Sequence, residues 1–341
     1  MSFLGTILKK FVSGAVSIAI SLGLLSSFAA DTDISPKALF LREFVIRPIC
    51  TSIKRDGGIT GFYGIDMSKV SLYKPSDGYT LEKTEIDGLP VEILKKTDSE
   101  NSDRVIYQLH GGAFVYGYND IYRKQAERWS ALAGGATVVS IDYRLAPKDV
   151  FPAALEDALK GWDWILLNGY KEENIVVVGD SAGGNLALSL GLSLRDSGRT
   201  MPKAMVLMSP WADLSEEGES YQTNLYKDPM FGIKEGTERK EGYHAVSIAY
   251  AGDMDVHDPL ISPVYGDYKD FCPILIQSGT YEVLESNSDM IYENALSNGV
   301  DVTLTKYEGM WHMFQLFGDF FPESTAAWEQ VGEQLAEWYG E

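Results

Sequence analysis

The sequence predicts an α/β fold, with a mostly parallel central sheet covered by helices on both faces. Short apolar runs of the kind found in strands buried on both sides recur at 104–109, 136–142, 174–179, 203–208, 273–277 and 300–307. Amphipathic helical stretches fall between and after them, at 121–133, 153–168, 182–196, 287–298 and 324–338. Strands alternating with helices imply parallel pairing through crossover connections. Ahead of this series, 80–87 and 90–95 alternate in polarity around an Asp87-Gly88 turn signal and read as an antiparallel hairpin. Two segments break the rhythm, residues 1–75 and 211–265, both rich in aromatic residues, glycine and charge. A long insertion in a compact domain is usually a functional lid. The expected organisation is therefore an apolar segment and first part of a cap over 1–75, a core over 76–210 and 266–341, and a cap insertion over 211–265.

Composition bounds the function. The chain has 341 residues, 45% of them hydrophobic, and a net charge of −20 with no run of Lys or Arg able to track a phosphate backbone. Nucleic-acid binding is excluded on that ground. Cys50 and Cys272 lack metal-type spacing and read as unpaired thiols, so no metal site is expected. Lys9 and Lys10 precede an apolar stretch over 11–25 and then Ser27-Phe28-Ala29, the three-part form of an export signal. The same stretch fits a helix lying on a membrane surface or forming part of the cap, and it is shorter than the ~20 residues a span requires. Localisation stays open between cytoplasmic and exported or membrane-associated. Membrane-surface contact through residues 1–30 and a homodimer are both open.

The chemistry sits where strands end. Val176-Val177-Val178 runs into Gly179-Asp180-Ser181-Ala182-Gly183, a G-x-S-x-G followed by the helical Asn185-Leu186-Ala187-Leu188. A strand-turn-helix context is what this motif requires of a nucleophile. The tight turn forces the serine into strained dihedrals and needs small flanking residues, so that strand and helix can approach. Ser181 is thereby lifted to the positive end of a helix as the candidate nucleophile.

A second motif, Leu109-His110-Gly111-Gly112-Ala113, follows the 104–109 strand. Acyl transfer passes through a tetrahedral oxyanion that needs preorganised N–H donors. The amides of Gly111, Gly112 and Ala182 are the candidates. His110 opens this loop and is read as holding its shape, not as a base. Of the four histidines, His244 and His257 fall in the insertion, which leaves His312, just past the last strand, as the general base.

Together these motifs make a recognisable set. His110-Gly111-Gly112, Tyr143-Arg144-Leu145-Ala146-Pro147, Gly179-Asp180-Ser181-Ala182-Gly183-Gly184 and Gly309-Met310-Trp311-His312 resemble the hormone-sensitive-lipase-like group of bacterial esterases. Ser209-Pro210-Trp211-Ala212-Asp213-Leu214 and Asp258-Pro259-Leu260-Ile261-Ser262-Pro263 look like that group's cap-flanking segments. The resemblance runs from about residue 70 to the end and implies an α/β-hydrolase core, a helical cap and no cofactor.

The chain departs from that group twice. Ala113 stands where the third glycine of the oxyanion motif belongs. The group's acid lies in G-x-x-D-P-L, whereas this chain reads Gly279-Thr280-Tyr281-Glu282-Val283-Leu284, which places Glu282 in register. A carboxylate there must accept the Nδ1–H of the base, and the extra methylene of Glu calls for a retracted backbone. Asp258, on the cap-return segment, is the competing acid, with Asp289 behind it. Phe114, Tyr116, Trp211, Tyr281 and Met310 flank the motifs and are candidates for an apolar pocket, or equally for core packing. The expected activity is hydrolysis of short- to medium-chain carboxylic esters by Ser181, His312 and Glu282. An amidase or deacylase would use the same residues. A ligand receptor that has lost its base is disfavoured by His312, and an interfacial lipase is favoured only by the apolar N-terminus.

Overall fold

A computed structural model describes residues 34–55, 71–101, 103–236 and 242–341. The apolar stretch at 11–25 and its export-signal reading lie outside them. No helix among the described residues is long and apolar enough to cross a membrane.

Eight strands form one sheet: β1 (Tyr79–Ile86), β2 (Leu89–Lys96), β3 (Val105–Leu109), β4 (Thr137–Ile141), β5 (Ile175–Asp180), β6 (Ala204–Met208), β7 (Ile274–Gly279) and β8 (Val302–Tyr307). Their order is β1-β2-β4-β3-β5-β6-β7-β8. The β1–β2 hairpin turns at Asp87 and Gly88, both in the left-handed region, and pairs antiparallel with β4 at one edge. All remaining pairings are parallel.

The apolar runs are continuous because both faces of the sheet are covered. Along β5, Ile175 and Val177 face one core and Val176 and Val178 the other, as the two-residue period of a strand dictates. The first core packs against α4 (Ala153–Leu167), α5 (Ala182–Asp196) and α8 (Glu285–Ser297). The second packs against α3 (Asp120–Leu132) and α9 (Pro322–Tyr339), where Trp129 meets Trp328 edge-on at 4.8 Å. Each fully buried Val, Leu or Ile contributes about 1.5–3 kcal/mol. Helix starts differ from the expected ones by a residue or two, for physical reasons. α3 begins at Asp120 because the Asn119 side chain caps Ile121 N, and α9 begins with Pro322 at its first position.

Residues 34–55 form α1 (Pro36–Leu41), a π-helical turn over Arg42–Ile46, and α2 (Arg47–Arg55). Ser35 caps α1 by accepting from Ala38 N, and its hydroxyl donates to Glu323 at 2.8 Å. Ile34, Ala38, Leu39 and Leu41 pack on Met310, Trp311, Phe314 and Phe321, so this helix lies against the loop that follows β8. The 211–265 insertion lies between β6 and β7; its described residues hold α6 (Ser220–Thr223) and α7 (Gly242–Ala251) and no strand. Neither cysteine forms a disulfide.

Candidate active site

β3 pairs with β4 on one side and β5 on the other, so the sheet changes its winding direction there and opens a crevice at the carboxyl ends of the strands. Leu109 is in register with Gly179, which sets the loop after β3 beside the turn after β5.

Ser181 sits in that turn with φ 52° and ψ −120°. Such a conformation costs a non-glycine residue about 1–3 kcal/mol, and the surroundings over-determine it. Ser181 N donates to Met208 O at 3.0 Å, while its carbonyl accepts from Trp211 N at 3.0 Å and from Gly184 N at 3.1 Å. Both glycines of the motif are sterically required. A Cβ at Gly179 would collide with Gly183 O, and one at Gly183 with Leu109 O.

The 110–114 loop is held from behind. His110 is fully buried, its Nδ1–H donates to Gly111 O at 2.7 Å, and its ring lies flat on Tyr143 at 4.0 Å. Tyr143 Oη in turn donates to His110 O at 2.6 Å. Burial pushes the His110 pKa down, so the ring is a neutral strut. Gly112 (φ 122°), Ala113 (φ 54°) and Phe114 (φ 60°) are all left-handed. A Cβ at Gly112 would strike Tyr116 O, whereas alanine is accommodated at 113 in spite of the expected loss of freedom.

Of the three amides expected to face an oxyanion, that of Gly111 belongs to a residue lying against Asp180: a Cβ there would collide with the Asp180 carboxylate. Tyr122 Oη donates to the same carboxylate at 3.0 Å. Burial pushes the Asp180 pKa up to about 7, against the pull of Tyr122, His312 and Gly111. Among the described residues, the amides of Gly112, Ala113 and Ala182 donate to no backbone carbonyl.

His312 follows β8 and Glu282 follows β7. His312 Nε2 is 3.0 Å from Ser181 Oγ, and His312 Nδ1 is 3.0 Å from Glu282 Oε2. The three side chains are shielded, with Ser181 5%, His312 2% and Glu282 0% exposed. Glu282 Oε1 accepts from Ser209 Oγ at 2.8 Å and from Gly279 N. Ser209 Oγ also accepts from Met313 N at 3.2 Å, bracing the residue after the histidine. The strand-end loops are stitched directly: Tyr281 N donates to Met310 O at 3.0 Å, and Gly309 N to Thr280 Oγ1 at 2.8 Å. Arg42 of the π turn donates to Gly309 O at 2.8 Å and stacks on Tyr281 at 4.1 Å, so the N-terminal helix bridges both loops.

The competing acids lie elsewhere. Asp258 Oδ1 accepts from Leu260 N at 2.8 Å, and Asp289 pairs with Lys306. His257 is exposed between Asp255 and Glu217; the side chain of His244 lies outside the described residues.

The pocket candidates divide. Phe114 stacks on Tyr250 at 3.6 Å and leans on Trp211 within the buried core, and Trp211 N bonds the Ser181 carbonyl. Tyr116 is half-buried against the same core. Met310 is fully buried against α1, and Tyr281 is half-buried with Arg42 stacked on its ring. Ser209, Asp180, Arg42, Phe231 and the buried Asn224 and Asp228 complete the surroundings. Only Ser209 and Asp180 carried a sequence signal, as members of quoted motifs. No grouping of His, Cys, Asp and Glu among the described residues could hold a metal ion.

Residues 106–316 match the family profile of the alpha/beta hydrolase fold. An acetyl-hydrolase of Streptomyces hygroscopicus is 35% identical over 240 residues, covering 70% of this chain and 77% of its own length. An esterase of Acinetobacter venetianus is 32% identical over 262 residues, with 77% of this chain and 84% of its own covered. The crystal structure of an esterase from the bacterial hormone-sensitive lipase family superposes with a TM-score of 0.74 at 30% identity, covering 86% of this chain and 97% of its own. With the elbow, the braced glycine loop and the strand-end histidine all in one crevice, the chain is a serine carboxylesterase and belongs to the hormone-sensitive-lipase-like group of the α/β-hydrolase fold.

Proposed function

We propose that this esterase hydrolyses short- to medium-chain acyl esters through Ser181, His312 and Glu282, by way of an acyl-enzyme. The observation that carries the reading is the unbroken line from Ser181 Oγ through His312 to Glu282, with both links at 3.0 Å. His312 Nε2 takes the Ser181 proton as Oγ bonds to the ester carbonyl carbon, and the carbonyl π electrons move onto oxygen. The amides of Gly112, Ala113 and Ala182 receive that oxyanion, with Ala113 in the place first expected of Gly111. Collapse expels the alkoxide, which takes the proton from the imidazolium. Water then repeats the sequence on the acyl carbon, giving the acid and restoring Ser181. Glu282 holds Nδ1–H throughout and stabilises the imidazolium.

The short-chain preference is supported by the close aromatic cover of Phe114, Trp211 and Tyr250, and by the acetyl-hydrolase among the relatives. A series of p-nitrophenyl esters of increasing acyl length tests it. Turnover should peak at short to medium chains, and faster turnover of emulsified long-chain triglyceride would refute it. Ser181→Ala should lose about 10⁶-fold in kcat and all labelling by a fluorophosphonate, while keeping its melting transition.

A further inference from the structure

We propose that Asn224 and Asp228, on the 211–265 insertion, are positioning residues for catalysis: they grip the peptide unit that leaves Glu282 and so fix the carboxylate that orients His312. The proposal rests on reading Glu282 as the acid, and its test is built to separate the two.

The peptide unit between Glu282 and Val283 offers one acceptor and one donor, and the insertion takes both. Asn224 Nδ2 donates to Glu282 O at 2.8 Å, and Asp228 Oδ2 accepts from Val283 N at 2.9 Å. Asn224 Nδ2 reaches Thr280 O at 3.1 Å and Glu285 Oε2 at 2.7 Å as well, so one amide group spans the whole acid loop. The two residues are one helical turn apart and buried, and Asp228 N donates to Asn224 O at 3.0 Å.

The grip is itself rigid. Asp228 Oδ1 accepts from Met230 N at 2.7 Å and Phe231 N at 2.9 Å. The 225–233 loop closes through Ile233 N to Leu225 O at 2.8 Å, and only glycine fits at 232, since a Cβ there would strike Leu225 O and Asp228 O. The same loop sets the Phe231 ring against the His312 ring, tilted by 44° at a centroid distance of 4.6 Å. One short segment of the insertion thus touches both the backbone behind the acid and the ring of the base. Burial raises the Asp228 pKa, while its N–H donors and His312 pull it back down.

The length of the acid explains why such a grip matters. With Glu in place of a shorter Asp, the carboxylate meets Nδ1 only if the 282 backbone is held back from the histidine, and a peptide unit secured at both ends is the handle for that. The sheet holds only the near side of this residue, where Glu282 N donates to Gly279 O at 3.3 Å at the end of β7, and the peptide unit leaving Glu282 lies beyond its reach.

A double-mutant cycle on the full-length enzyme tests this, with p-nitrophenyl butyrate as substrate. Asp228→Asn turns an NH₂ toward Val283 N–H, and Asn224→Ala removes the other half of the grip. Each should lower kcat about 10²-fold, the cost of a misplacement near 1 Å, and leave KM within about threefold. The imidazolium loses part of its stabilisation, so the acidic limb of kcat/KM should move to lower pH. On a Glu282→Gln background the same substitutions should cost less than about threefold more, because the group they act through is already gone. Full losses repeated on that background, a change in KM alone, an unmoved acidic limb, or failure of both variants to fold would each overturn the proposal. Near-wild-type turnover of Glu282→Gln itself would instead remove the acid assignment, and the proposal with it.

Discussion

Replacing Glu282 by glutamine exchanges one carboxylate oxygen for an NH₂ group in a site that leaves the amide a single orientation. The Oε1 corner receives two donors, Ser209 Oγ–H at 2.8 Å and Gly279 N–H. The Ser209 oxygen is already engaged with Met313 N–H, so its hydrogen is committed toward residue 282. The glutamine oxygen must take this corner, and its NH₂ must face His312 Nδ1, now 3.0 Å from a carboxylate oxygen. Nδ1 then becomes an acceptor and the ring proton moves to Nε2, which faces Ser181 Oγ and can no longer accept its proton. The loss of turnover should approach the ~10⁴-fold seen when a triad aspartate is made asparagine. KM for a small soluble ester should stay within about threefold, since the change acts on the chemical step. The melting temperature should change little, because every donor at Oε1 keeps its acceptor. Steady-state kinetics on the purified variant, with calorimetry as the folding control, makes the measurement. A kcat within tenfold of wild type would refute the tautomer reasoning. Glu282→Asp keeps the charge but withdraws it by about 1.5 Å, so it should retain partial activity between the two.

Three further outcomes follow from the same geometry. Ser209→Ala removes a donor from Glu282 and orphans Met313 N–H; a cost of about 1–3 kcal/mol should appear as a lower kcat with a lowered melting temperature, and unchanged values of both would refute it. Asp180 is held near pH 7 in the fold against 3.8 as its ordinary value, so the folded protein keeps a proton that the unfolded chain has lost between those pH values. Stability relative to Asp180→Asn should therefore shift in favour of the wild type as pH falls from about 8 to about 4, and a pH-independent difference in melting temperature would contradict the burial argument. Removing residues 1–30 should alter solubility, membrane association or substrate range while leaving Ser181 reactive to a small fluorophosphonate; loss of labelling in a folded truncate would count against it.

What could be read from the sequence follows a physical division. The strands β3 to β7 were legible because both of their faces are buried, so Val176 and Val178 on one side and Ile175 and Val177 on the other leave no polar alternation, whereas β8 at the edge is only half-buried. Ser181 and His312 were legible because the local turn of one and the chain position of the other constrain their chemistry. The closeness of Gly111 to Asp180 was not legible, because what a glycine loop faces depends on its neighbour across the crevice and not on the motif. What Met310 and Tyr281 touch could not be read from their neighbours in sequence, since α1 packs on Met310 and Arg42 of the following turn stacks on Tyr281, each from more than 200 residues away. Asn224 and Asp228 left no trace, since their role exists only once the insertion folds back onto the loop after β7.

The proposed active centre is strung across the ends of four neighbouring parallel strands: Ser181 after β5, Ser209 after β6, Glu282 after β7 and His312 after β8. Ser181 and His312 are 131 residues apart in the chain, and no local element brings them together. Pairing of this kind must meet its loop-closure entropy before any contact repays it, which makes parallel sheets slow to assemble. On that reading, ester turnover during refolding should report the joining of β5 through β8, later than the return of helical signal, and a nascent chain should stay inert until His312, beyond β8, has emerged.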